Sequence, residues 1–261
     1  MVSFFGEVVF PVSRAFWDEE DENESDGRTI NETEFSVQWL KEKSTQIDTL
    51  ILVEGEMLID FSRECLCQSS EEVCLVEDES KRKICIVYQV NNDIYLCVVS
   101  PRFDVKLSGK LVDKISDILL NVKNTICITS RHMSQFKCKD VPTVPSFLRM
   151  LTTKNGGSIC SLKEPPLEQP NIVYGVTAGV LSYAEFMELP SVLYVLYTDN
   201  FVLDSVSAEP LLKLFTAMNC TVNNVTFTGK NFFNKGNLYM YAWTSYLPQQ
   251  FPVYLSKDLS I

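Results

Sequence analysis

A chain of 261 residues, 46% of them hydrophobic, can bury a sizeable core as one α/β domain or two small ones. Its net charge of -11 repels phosphate backbones, and no Lys/Arg cluster is long enough to reverse that, so nucleic acid is not an expected partner. No uninterrupted apolar run approaches the roughly 18 to 20 residues of a membrane helix, so no membrane span is expected.

Residues 1 to 10 read as a short strand or anchoring segment. Met1 to Trp17 carries Glu7 inside its apolar stretch and lacks a basic leader, so it does not read as a signal peptide. The segment from 11 to 35 reads as an exposed loop. Within it, Asp18 to Asp26 holds seven carboxylates and no base, the composition of a solvated, disordered linker or an electrostatic docking arm. From 36 to 261 the pattern predicts a single α/β domain.

That domain opens with an expected helix over Glu34 to Lys43, a buried strand over Ile47 to Val53 and a short helix over Met57 to Cys67 after Gly55. Lys83 to Gln89 and Ile94 to Ser100 flank Val90-Asn91-Asn92-Asp93, which predicts a hairpin and so a mixed sheet. Leu111, Ile115, Leu119 and Val122 recur at helical spacing in Leu107 to Val122. A β-branched strand over Thr125 to Thr129, a brief helix over Phe147 to Thr152 and a long surface loop over Lys154 to Pro170 follow. In the next stretch Thr177 is the expected N-cap of a helix, and Val176, Val180, Leu181, Ala184 and Met187 recur along one face. Pro190 stops that helix. Ser191 to Tyr197 lacks polar alternation, as a strand covered on both faces does. Ala208 to Met218 predicts a last helix that Pro210 starts; the remaining residues give no assignment. The fold class is α/β, layered, with a mixed, mainly parallel central sheet flanked by helices.

Chemistry is sparse in this pattern. Nine cysteines lie mostly in strand-like runs, as reduced core residues of a cytosolic chain do. Cys65-x-Cys67 and Cys74 lack the paired spacing of a zinc site, so no metal and no cofactor is expected. Gly175-x3-Gly179 lacks the remaining residues of a phosphate loop, and Gly179 reads better as a close helix contact. Ser130, Arg131 and the sole histidine, His132, follow the strand Thr125 to Thr129 at the sheet edge where α/β folds bind ligands. That triplet motivates an alternative reading as an enzyme for nucleosides or phosphorylated compounds. No nucleophile elbow accompanies it, and Ser182 falls inside a helix. The aromatics Phe232, Phe233, Tyr239, Tyr241, Trp243 and Tyr246 read as core or as interface anchors.

The run LEQPNIV from Leu167, then VLSY, Pro190, a Leu/Tyr-rich strand and Tyr197-Thr198-Asp199, resembles the proteasome assembly chaperone 1 family. FFGEVV at Phe4 to Val9, TICITSRH at Thr125 to His132 and PSFLRML at Pro145 to Leu151 agree with it. The resemblance implies a chaperone without catalytic residues. Such a chaperone forms a heterodimer with a second assembly chaperone, binds proteasome α-subunits, promotes 20S α-ring assembly and prevents misassembly. Partner-binding candidates are Glu168, Gln169, Asn171 and Ile172 in the loop, with Arg131 and His132. Tail docking would fall to Leu259, Ser260 and Ile261, although the family's terminal-motif tyrosine is missing there. The expected location is cytoplasmic, with nuclear or peripheral endoplasmic-reticulum association as further options.

Overall fold

The computed structural model describes residues 33–42, 46–66, 70–138, 142–200, 203–218 and 220. Contacts divide the chain after Glu34, and the sheet belongs to the unit Phe35–Ile261. Eight strands form it: β1 (Phe35–Trp39), β2 (Ile47–Glu54), β3 (Glu71–Asp78), β4 (Lys83–Gln89), β5 (Ile94–Val99), β6 (Val122–His132), β7 (Ser146–Thr152) and β8 (Ser191–Thr198). Among the described residues four α-helices accompany them: α1 (Glu56–Leu66), α2 (Ser108–Leu120), α3 (Val176–Phe186) and α4 (Glu209–Ala217).

The strand order is β1-β3-β4-β5-β2-β6-β8-β7. β5, β2, β6 and β8 run parallel through the centre, and the other pairings are antiparallel. The sheet is mixed and flanked by helices, as expected; its parallel ladders are confined to the centre, so they do not outnumber the antiparallel ones. Each central strand buries both faces. In β2, Leu50 and Leu52 join the core that α2 and α3 cover, while Ile51 and Val53 join the one that α1 and α4 cover. This is why these strands read as unbroken apolar runs, and all eight residues of β8 are buried. On the second face Phe61 of α1 stacks on Phe215 of α4 with ring centroids 5.6 Å apart.

The hairpin turn lies where expected, with Asn91 Oδ1 accepting from the amides of Asp93 (2.9 Å) and Ile94 (2.8 Å). Gly179 is a close helix contact, since a Cβ there would lie 3.1 Å from a Val112 methyl of α2. Three expectations change, and one strand had none. Glu34 to Lys43 is not a helix; Phe35–Trp39 is an edge strand whose alternating burial follows its two-residue period. Phe147 to Thr152 is not a helix either, because β7 pairs antiparallel with β8 along its whole length. β3, an apolar run between charged ends, went unread. The stretch 154–170 is more than a surface loop: Gly156 is buried at the start of a 3-10 helix, and Pro165 and Leu167 bond to Met150 at the edge of β7. Among the described residues no helix is long and apolar enough to cross a membrane.

Candidate functional site: the carboxyl edge of the parallel strands

β2 ends at Glu54, where Gly55 (φ 115°) turns the chain into α1. Glu54 is half-buried and turned toward α3. Its Oε1 accepts from the amide of Val176 (3.1 Å), and its Oε2 accepts from the amide of Thr177 (3.0 Å) and from Thr177 Oγ1 (2.8 Å). These are the first amides of α3, which have no partner within the helix and carry the positive end of its dipole. The N-cap is Gly175, not Thr177, and it has no side chain to offer. A carboxylate from a distant strand caps the helix instead, and glycine is required opposite it: φ is 105°, and a Cβ would stand 2.3 Å from Glu54 Oε1. An α/β fold commonly presents such a helix N-terminus to a phosphate; here the chain's own carboxylate holds that place.

Ser130, Arg131 and His132 do not follow the strand; they are its last three residues, because β6 extends to pair Arg131 with Tyr197 and His132 with Thr198. Their side chains do not converge on one point. His132 Nδ1 accepts from the amide of Ser134 at 3.2 Å, which leaves Nε2 to donate to the carbonyl of Asp199 at 3.2 Å. The Arg131 guanidinium lies 4.1 Å from the centre of the Tyr174 ring and donates through Nη2 to the Tyr174 carbonyl at 2.6 Å. Strand end and loop are thereby joined.

The loop candidates differ among themselves. Asn171 is a fastener: Oδ1 accepts from the Lys137 amide (2.7 Å), and Nδ2 donates to the carbonyls of Lys137 (2.9 Å) and Glu168 (2.8 Å). Glu168 and Gln169 are exposed, and Ile172 is 81% exposed. Tyr174, which the sequence reading did not single out, is 53% exposed beside them. Glu54 was missed too; its signal was a lone carboxylate closing an apolar strand before a glycine. Leu259, Ser260 and Ile261 lie outside the described residues, as do the acidic tract and the aromatics from Phe232 to Tyr246.

At the opposite, amino edge a cavity of about 290 Å³ is lined by Thr49, Ile51, Ile94, Asn124, Ile126 and Cys160, among others. The Cys160 thiol donates to the carbonyl of Gly156, and burial raises its pKa. Burial likewise pushes the Cys65 thiol up to about 12, and the Cys85 and Cys97 sulfurs touch at 3.1 Å in the core. Among the described residues no group of three or more His, Cys, Asp or Glu side chains is placed to hold a metal ion.

Two solved structures share this fold. Pyrococcus furiosus PbaA, described as an archaeal homolog of proteasome-assembly chaperone, superposes with a TM-score of 0.56 at 11% identity, covering 80% of this chain and 93% of its own. PbaB of the same organism, described as an archaeal proteasome activator, gives 0.55 at 8% identity, covering 81% and 99%. The architecture is thus that of these two archaeal proteins. The family model described as proteasome assembly chaperone 4 matches residues 58–237. Proteasome assembly chaperone 1 of Homo sapiens is 29% identical over 249 residues, covering 79% of this chain and 85% of its own, and that of Bos taurus is 27% identical over 270, covering 85% and 91%. The chain belongs to the proteasome assembly chaperone 1 family. Membership supports a role in proteasome assembly, and assembly chaperones are not a class of enzymes.

Proposed function

We propose that this chain acts by binding alone: it pairs with a second assembly chaperone, and the heterodimer holds proteasome α-subunits in the cytoplasm while their ring is built, keeping half-built rings from associating wrongly. The observation that carries the reading is the family match over residues 58–237. The site agrees with it in kind. Where an α/β enzyme would hold a ligand, Glu54 fills the helix N-terminus, and His132 has both ring nitrogens in hydrogen bonds to its own chain. What this edge offers outward is a braced loop with exposed Ile172 and Tyr174.

Co-expression of the chain with the second assembly chaperone tests the reading. A stable heterodimer that retains purified α-subunits is expected; no association of either kind at micromolar concentration removes it. The enzyme reading rests on Ser130, Arg131 and His132 alone, and has less support because the Arg131 and His132 side chains are turned to separate partners.

A further inference from the structure

The single Asn-Gly step of the chain is Asn155-Gly156, at the start of the 3-10 helix Gly156–Ile159. Such a step is chemically unstable, because glycine has no side chain to keep its nitrogen off the preceding amide carbon. The Gly156 nitrogen gives up its proton and bonds to Asn155 Cγ, the Cγ–Nδ2 bond breaks, and ammonia leaves with that proton. Water then opens the cyclic imide. Attack at Cγ leaves an aspartate at position 155, and attack at the backbone carbonyl leaves an isoaspartate, which runs the backbone through an added methylene.

The fold holds both reacting groups apart. A ψ of -5° at Asn155 eclipses the Gly156 nitrogen with the Asn155 nitrogen and turns it away from Cγ. The Gly156 amide donates to the Thr153 carbonyl (2.9 Å), and Asn155 Nδ2 donates to the Glu188 carbonyl (2.7 Å) just past α3. Gly156 is itself buried against β8, where a Cβ would stand 2.0 Å from the Ser191 carbonyl oxygen. That packing demands the glycine, and the bond to Glu188 uses the asparagine, so the unstable pair follows from the way this turn is docked. Neither product fits the same seat. A carboxylate has no proton for the Glu188 carbonyl and meets the negative end of α3, beside Glu185, whose Oε2 accepts the Lys154 amide at 2.8 Å. An isoaspartate also lengthens the backbone where Gly156 and Ser191 leave no space. Immediately downstream Ser158, Ile159 and Cys160 wall the cavity at the amino edge of the sheet.

We propose that Asn155 is a spontaneous modification site controlled by the fold: it is inert while the turn is docked, deamidates through Gly156 when the turn opens, and thereby prevents redocking and uncovers Cys160. This goes beyond the chaperone reading and does not rest on it. The test incubates the full chain at mildly alkaline pH with and without enough urea to unfold it, and follows aspartate and isoaspartate at position 155 by peptide mapping. Conversion should be about tenfold or more slower in the folded chain, because the rate follows the open fraction. Thr153→Val removes a hydroxyl that accepts from the Ser191 amide (2.9 Å) and donates to the Leu189 carbonyl (2.9 Å) at the base of the turn. It should speed conversion in the folded state about threefold or more. Equal rates with and without urea, no conversion in urea, or a folded Thr153→Val that converts no faster than the unmodified chain would each overturn control by the fold. If Thr153→Val does not fold, the unmodified chain with and without urea decides alone. Asn155→Asp stands in for one product, and iodoacetamide should label Cys160 about threefold or more faster in it than in the unmodified chain. Unchanged labelling of Cys160 would overturn the loss of docking.

Discussion

At the carboxyl edge of the parallel strands the Glu54 carboxylate fills the N-terminus of α3, whereas at the amino edge the same sheet leaves a cavity of about 290 Å³. Ligands of α/β folds usually sit at the first edge and seldom at the second. In this chain the usual ligand edge is closed from within and turned into a braced outer surface, while the void meets a helix carboxyl end, Met218 at the close of α4, in place of a helix amino end. Each edge also depends on one glycine. Gly175 faces a side chain, the Glu54 carboxylate; Gly156 faces backbone, the Ser191 carbonyl that opens β8.

That difference predicts unequal costs. Gly156→Ala should be the more damaging change, since a Cβ would stand 2.0 Å from the Ser191 carbonyl oxygen and neither backbone can withdraw. A loss of about 4 kcal/mol in chemical denaturation is expected. Gly175→Ala should cost about 3 kcal/mol, from the positive φ and from expelling Glu54 from its cap. If the two variants unfold at the same denaturant concentration, side-chain and backbone obstacles are equivalent here and the contrast fails. Glu54→Gln should cost about 1.5 kcal/mol, because one neutral acceptor replaces a charged one at a helix N-terminus. Hydrogen exchange should localise that loss to the first turn of α3; uniform loosening of the sheet would mean that Glu54 acts elsewhere. Asn171→Ala should cost about 1 kcal/mol and loosen Lys137 and Glu168 without moving the amino edge.

At neutral pH the smallest effect is expected from the buried acids. Burial raises Cys65 to about 12, Cys220 to about 11 and Tyr194 to about 12. A folded-state pKa above the unfolded value favours folding at all pH below the unfolded value, and that contribution is lost as pH climbs toward the folded one. The denaturation midpoint should therefore hold steady through neutral pH and decline above about pH 9. A midpoint rising in that range would contradict the burial of these groups.

The central strands and all four helices were legible in the sequence because their signals are internal to each segment. β2 and β8 are unbroken apolar runs, the spacing of Leu111, Ile115 and Leu119 matches one helix face, and Asn91 organises its turn from its own side chain. The margins were not legible. Phe35–Trp39 and Ser146–Thr152 are short, and each becomes a strand by lying beside a neighbour, β3 or β8, that is distant in sequence or reached only through an intervening helix. Of the site, the sequence offered Arg131, His132 and the loop of Glu168, Gln169, Asn171 and Ile172, but gave no means to tell fastener from exposed surface. Asn171 and Ile172 are adjacent in the chain and opposite in use.

The sequence by itself determined the class of fold, the run of strands and helices at its centre and the resemblance to one family, because periodicity and composition are properties of contiguous residues. The tertiary structure alone decided that Glu54 caps a helix that begins 122 positions later, that Gly175 must be glycine for it, and that Arg131 leans on Tyr174 rather than toward a carboxylate. Each of these joins groups far apart in the chain, and their pairing follows from strand order and register, which no local pattern encodes.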